Sequence, residues 1–316
     1  MKRSPCLSRI SLAVFIMAFF SLCASADVEW TPSGGWRKTQ PGPHGREFDR
    51  AFELFMEGKT KKAAGLFESV RDGSSEPLRE DASILYAESL LASNNYRGAY
   101  DAYEKFIEEY PNSRHIDRAL QGELEIAVAL LTGKKIKALG LRIWSAYGMA
   151  EKVVDKIISH RPLSDYARKA QVELARSYFK RRLYIESASA WRQYMELFPN
   201  GPEIEEALLG IGRSLLNDAQ GPTYDPLPYY KAGSVASNLM RDYPSAAEAD
   251  ATRAVRDTSR ENLAEHYFLL AKWYMKMGKA DAAVLYLSKV TDNFPESSYA
   301  DRAAGIMEIL AGTGGQ

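Results

Sequence analysis

Four histidines, two cysteines and one closely spaced glycine pair are the residues whose types could carry chemistry in this chain. His44 lies in a Pro/Gly-rich stretch, while His115 and His160 stand beside prolines. None of these, nor His266, falls in an H-E-x-x-H or comparable ligand pair, so no metal site is expected. Cys6 and Cys23 both lie within the first 23 residues, which leaves no thiolates for a metal site or disulfide framework in the rest of the chain. Gly210-Ile211-Gly212 begins like a dinucleotide fingerprint, but no third glycine follows and no strand precedes it. Close packing between helices is the expected reason for that pair. The loop from Asp218 to Asp225 lacks the alternating acidic ligands of a calcium loop. Carboxylates are plentiful, but they fall on amphipathic helices at spacings that single out no catalytic pair. The expectation is therefore no enzymatic reaction, no cofactor and no small-molecule substrate.

What must position these residues is a chain of 316 amino acids, 46% hydrophobic and 26% charged, rich enough in apolar residues to build a core. Lys+Arg and Asp+Glu each total 41, so no overall charge points to nucleic acid. Lys2, Arg3 and Arg9 precede the uncharged run Ile10–Leu22, and Ala24-Ser25-Ala26 offers a cleavage site before Asp27. These three parts predict a secretory signal over 1–26, its apolar run too short to span a bilayer. The two cysteines leave with it. Cys23 is also a candidate lipid-attachment site, although Leu22 is bulky where a small residue is needed. Cleavage after Ala26 is the preferred expectation. Residues 27–46, with three prolines and four glycines, predict a flexible tether whose Trp30 and Trp36 lie against the first repeat.

The remainder reads as helical, with apolar residues three and four apart and no period-two alternation, so no β-sheet is expected. Five segments align without gaps, beginning at Tyr110-Pro111, Arg161-Pro162, Phe198-Pro199, Tyr243-Pro244 and Phe294-Pro295. Eight residues after each proline stands a small residue: Ala119, Ala170, Ala207, Thr252 or Ala303. Proline lacks the N–H and its ring clashes with the preceding turn, so each should end a helix, with Ser113, Ser164 and Ser297 or Ser298 capping the next. Twenty-four residues before Pro111, Pro199 and Pro295 stand Ala87, Ala175 and Ala271; eight before stand Tyr103, Trp191 and Leu287. This small–large spacing is that of a helical hairpin and resembles the tetratricopeptide repeat.

Six hairpins follow from Glu47, the third lengthened between Thr132 and Ser145, the fifth interrupted by Asn217–Pro228, the sixth opened by a long helix from Ala249. A helix at Ser298–Leu310 should cap the stack before a tail at 311–316. The fold class is all-α: a right-handed tetratricopeptide-like superhelix over residues 47–310. Trp144, Trp191 and Trp273 fall at helical spacing and are expected in its core. The long helix has a weak apolar stripe in its first half, where pairs such as Arg253–Asp257 are expected. There Arg253, Arg256, Asp257, Arg260 and Glu261 are the candidate partner contacts.

From about residue 165 to 310 the chain resembles the outer-membrane β-barrel assembly factor D family, the BamD-like, YfiO-type lipoproteins. The resemblance rests on Asp225-Pro226 before Tyr229-Tyr230, on Leu239 to Pro244, and on Arg256-Asp257 leading into Asn262–His266. Ala271–Lys276, Ala282-Ala283 and Phe294-Pro295 complete it. It implies a scaffold on the periplasmic face of an outer membrane, without cofactor, that binds barrel-assembly components or unfolded outer-membrane proteins. Association with the membrane would be peripheral or through a lipid anchor. A general exported scaffold for cell-wall or secretion machinery shares every other feature.

Overall fold

The computed structural model describes residues 28–38, 45–134, 136–138, 141–144, 146–245 and 248–313. The expected signal segment with Cys23, and residues 314–316 of the tail, lie outside them. Among the described residues are thirteen α-helices, and the first twelve form the six expected hairpins. These are α1 (Arg46–Met56) with α2 (Thr60–Gly73), α3 (Leu78–Ala92) with α4 (Tyr96–Glu109), and α5 (Ile116–Leu131) with α6 (Tyr147–His160). Then come α7 (Asp165–Lys180) with α8 (Tyr184–Leu197), α9 (Ile204–Asp218) with α10 (Leu227–Asp242), and α11 (Ala249–Lys276) with α12 (Ala280–Asn293). Helix α13 (Ala300–Thr313) packs on α12 and closes the stack. The chain is a tetratricopeptide superhelix.

Each of the five aligned prolines follows directly on a helix C-cap, at Tyr110, Arg161, Phe198, Tyr243 and Phe294. Within the hairpins a second device recurs. Gly58, Asn94, Gly133, Arg182 and Gly278 each lie two residues beyond the end of a first helix with positive φ. The left-handed residue turns the chain so that the next N–H reaches back to a carbonyl of the helix's last turn, as in Leu183 N to Tyr178 O at 2.9 Å. The fifth hairpin, with its insertion, lacks it. Of the expected serine caps, Ser164 accepts from Ala167 N at 3.1 Å. Ser113 and Ser298 instead bind the carboxylates of Glu80 and Glu261, which tie the first helix of a hairpin to the turn that follows its second.

The alanines of the repeat register, Ala87, Ala175 and Ala271, are fully buried, as are Tyr103 and Leu287. Successive clusters, the first holding Phe48, Phe67 and Tyr103, the next Trp191 and Tyr194, then Leu239 and Val255, and last Phe268 and Leu287, make the core a ribbon along the stack. Trp191 belongs to it. Trp273 does not: it is 52% exposed, because Ala271 takes the inward position and a residue two further along a helix points away. The side chain of Trp144 lies outside the described residues.

Two β-ribbons depart from the all-helical expectation. Strands β1 (Val28–Thr31) and β2 (Gly35–Lys38) pair antiparallel across Pro32-Ser33-Gly34. Part of the expected tether is thus a docked ribbon, with Val28 fully buried and Trp36 6% exposed. Its contacts reach beyond the expected first repeat. Trp36 packs on His115 with ring centroids 5.2 Å apart and Arg118 stands over Trp30, which sets the ribbon on the start of α5. Toward α1, Lys38 pairs with Asp49 and stands over the Phe52 ring, and Val28 and Trp36 share a core cluster with Phe48 and Phe52. A lone two-stranded ribbon is marginal in water, and the buried tryptophan is what fixes this one. The lengthening of the third unit is likewise a ribbon, β3 (Ile136–Ala138) with β4 (Leu141–Trp144).

Candidate partner-binding face

Helices α3, α5 and α7 are the first helices of three consecutive hairpins, and between them runs a groove of about 980 Å³. Its lining includes apolar Leu91, Leu124, Val128 and Ala129, with Tyr96 and Tyr166 beside them. Most of its charges are paired: Asp117 with Arg161 at 3.2 Å, Lys169 with Asp165 at 3.4 Å and Glu125 with Arg118 at 2.8 Å, while Lys134 stands over the Tyr96 ring. Pro32 of the ribbon also borders it. A second cavity of about 390 Å³ continues along the first-helix face between α7 and α9, where Arg176 clasps Glu206 through two hydrogen bonds of 2.7 and 2.6 Å. An apolar strip between neutralised charges suits a helix or an extended segment that anchors through spaced apolar side chains.

The groove is braced from beneath by a buried polar network. Arg118, on α5, donates to Glu88 of α3 at 2.7 Å and to Glu125 at 2.8 Å. Tyr103 of α4 donates to the other Glu88 oxygen at 2.6 Å. One turn away, Arg114 donates to buried Asp81 at 2.6 Å and to the carbonyl of Val28 at 3.4 Å, which fastens the ribbon. These charges share hydrogen bonds, the condition for keeping them out of water.

A second cluster went unseen in the sequence. Glu104 of α4, Glu123 of α5 and His160, the last residue of α6, bring their ligand atoms within 4.8 Å of one another. His160 Nε2 lies 2.8 Å from Glu104 Oε1, and Lys156 Nζ lies 3.0 Å from Oε2. Burial, then the neighbouring Glu104 carboxyl, pushes the Glu123 carboxyl up to about 9. Burial opposes ionisation of Glu104 as well, but His160 and Lys156, which contact its two oxygens, and the neighbouring Glu123 carboxyl outweigh it and hold that group below its usual range. Residues 104, 123 and 160 share no motif spacing, and only the packing of three helices brings them together. The single sequence signal is a glutamate at a position of α5 whose helical neighbours, Leu120, Ile126 and Ala127, are core residues.

On α11, the five candidate contact residues divide into two sets. Arg253 pairs with Asp250 and Arg256 with Asp257, so the expected Arg253–Asp257 pair is not the one formed. Arg253 and Asp257 are exposed. Arg260 instead donates to Asn293 O at 2.9 Å and lies over the Phe294 ring, and Glu261 accepts from Ser298 N at 3.2 Å. Those two fasten α11 to the turn between α12 and α13. Beneath them Thr252, Val255 and Ser259 face inward, and Gly212 and Gly233 admit Val255 and Ser259 closely. The expectation that the Gly210–Gly212 pair serves helix packing holds.

The profile of the YfiO family, described as outer membrane lipoprotein, matches residues 144–311, more than half of the sequence. The chain belongs to this family. The match begins about twenty residues before the resemblance read from the sequence, and takes in α6. A tetratricopeptide-repeat profile matches residues 81–113, from α3 through α4 into the turn after it. Outside this family core lie the first two hairpins and most of the groove. The chain is 24% identical over 175 residues to the outer membrane protein assembly factor BamD of Neisseria gonorrhoeae, covering 52% of this chain and 66% of that one. The counterpart from Neisseria meningitidis serogroup A gives the same figures. This YfiO-family chain thus spans just under two thirds of the length of those relatives. Similar solved structures include a tetratricopeptide repeat protein from Parabacteroides merdae (10% identity, TM-score 0.34, 84% of this chain and 100% of that one). PilW, a type IV pilus biogenesis factor, is another (14% identity, TM-score 0.29, 82% and 96%).

Proposed function

We propose that this YfiO-family protein is a non-enzymatic scaffold in outer-membrane protein assembly. It works at the periplasmic face and binds barrel-assembly components or unfolded outer-membrane proteins. The observation that carries the reading is the family match across residues 144–311, whose curated relatives are outer membrane protein assembly factors. The first-helix groove supports it, since its apolar strip between paired charges accepts a peptide segment, and Arg253, Arg256 and Asp257 of α11 supply a separate polar surface. Arg260 and Glu261 contribute by holding α11 in place. Among the described residues no helix is long and apolar enough to cross a membrane. In this reading the protein associates with the membrane peripherally or through a lipid anchor.

A photo-crosslinking residue placed at Leu124 in the groove, at Arg253 on α11 and at exposed Lys105 on α4 tests the reading in intact cells. Adducts with barrel-assembly components or unfolded barrel proteins are expected at positions 124 and 253 and not at 105. Adducts with neither class, or the same adducts at all three positions, would refute it. Intact mass addresses the anchor separately: the expected N-terminus is Asp27 without fatty acid. An acylated chain beginning at Cys23 would overturn that cleavage and leave the scaffold role standing.

A further inference from the structure

Glu123 is fully buried, and among the described residues no hydrogen-bond partner reaches either of its carboxylate oxygens. It points into a space shared with Glu104 and His160, whose side chains are 12% and 20% exposed. An unpartnered buried carboxylate is among the more costly features a core can carry, so this one needs a positive partner or a retained proton. We propose that Glu104, Glu123 and His160 form a binding site for a zinc ion, which pins α4, α5 and α6 together.

The donor set selects the metal class. One imidazole and two carboxylates make a three-ligand set of the kind zinc takes, with a fourth position left for water. Calcium and magnesium require six or more oxygens, which this site does not supply. The ligand atoms already lie within 4.8 Å of one another, so rotamer changes of about 1 Å bring them to the separations of a tetrahedral shell. Two carboxylates and a neutral imidazole balance the charge of a divalent ion. Lys156, at 3.0 Å from Glu104, is the competing cation; its side chain is 40% exposed and can swing into solvent. Entry is from the side of His160. The site owes nothing to the scaffold role, since its residues line neither the groove nor the outer side of α11.

Zinc chloride titrated against a chromophoric chelator, with the purified full chain at neutral pH, tests the assignment. One site with a Kd below about 10 µM is expected, weakened at least about tenfold in both Glu123→Gln and His160→Gln and unchanged in His266→Gln. Glu123→Gln keeps the shape of the side chain, and circular dichroism of each variant verifies its fold. Zinc should also raise the melting temperature of the wild type and leave that of Glu123→Gln unmoved. A Kd of about 10 µM or weaker, or equal binding by wild type and either variant, would overturn the site.

Discussion

Gly122 lies against the ring of Tyr103: a methyl group at position 122 would fall 2.6 Å from Tyr103 Cε2. The same pair recurs two units along, where a methyl at Gly210 would fall 2.7 Å from Trp191 Cδ1. In both units the aromatic stands eight residues before the turn proline and the glycine eleven after it. In the last unit the corresponding residues are Leu287 and Ile306, a smaller side chain facing a larger one. In the second and fourth hairpins a large ring thus requires a glycine opposite it. Gly122→Ala gains about 1 kcal/mol of helix propensity but forces an immovable ring, because Tyr103 is fully buried and bonded to Glu88. A net loss of about 1–2 kcal/mol by urea unfolding is expected. Gly122→Ala as stable as wild type would show that the ring yields.

Ala175 is buried, and its carbonyl accepts from Ser187 across the hairpin at 3.0 Å. Ala175→Leu overpacks the junction of α7 and α8 and should cost about 1–3 kcal/mol. Each hairpin rests on its neighbours, so hydrogen exchange should accelerate in α9 as well as in α7 and α8. An unchanged melting temperature would contradict the register.

Arg182 holds φ of +61° in the turn where Gly58, Gly133 and Gly278 serve the other hairpins, and its side chain is exposed. Left-handed backbone costs a non-glycine residue about 1 kcal/mol, part of which glycine returns as unfolded-state entropy. Arg182→Gly should therefore stabilise the protein by about 0.5 kcal/mol. A measured loss of stability would mean that the Arg182 side chain makes an interaction that outweighs the strain.

With metal removed by chelator, Glu123 makes stability depend on pH. Folded, it binds its proton up to about 9; its ordinary value is 4.5. Folding thus takes up a proton between those limits, and stability falls as pH rises through the window, by at most about 1.4 kcal/mol per unit from this group. Tyr100, Glu104, Lys156 and His160 face it and set the detail of the curve. Glu123→Gln should flatten the profile between pH 5 and 9 and be the more stable form at pH 8. Parallel profiles for the two proteins would place the ionisation elsewhere.

The hairpins were legible because a repeat restates its constraints: proline, alanine and an aromatic recur at fixed offsets, so each unit vouches for the others. Features that occur once have no such support. Val28 and Trp30 alternate with polar neighbours, and Gly34-Gly35 mark a turn before Trp36, which is a hairpin signal, but the prolines and glycines around it outweighed that signal. The grouping of Glu104, Glu123 and His160 had no motif spacing, only a glutamate at a core position of α5, since it depends on how α4, α5 and α6 meet. The charges of α11 pair differently from the expected Arg253–Asp257. Offset alone cannot tell an i,i+3 partner from an i,i+4 one, nor show that Arg260 reaches a carbonyl 33 residues away.

The docking of Val28 and Trp36 on Arg114 and His115 also bears on the order in which the chain folds. Nearly every other contact in the array joins neighbouring hairpins, so units can form one after another as the chain is delivered from its N-terminus. The ribbon cannot. Its binding site lies 86 residues downstream of Val28, and it must remain unplaced until α5 has packed on α3. This N-proximal ribbon is thus among the last parts of the array to be seated, and its arrival reports that the three leading hairpins have assembled.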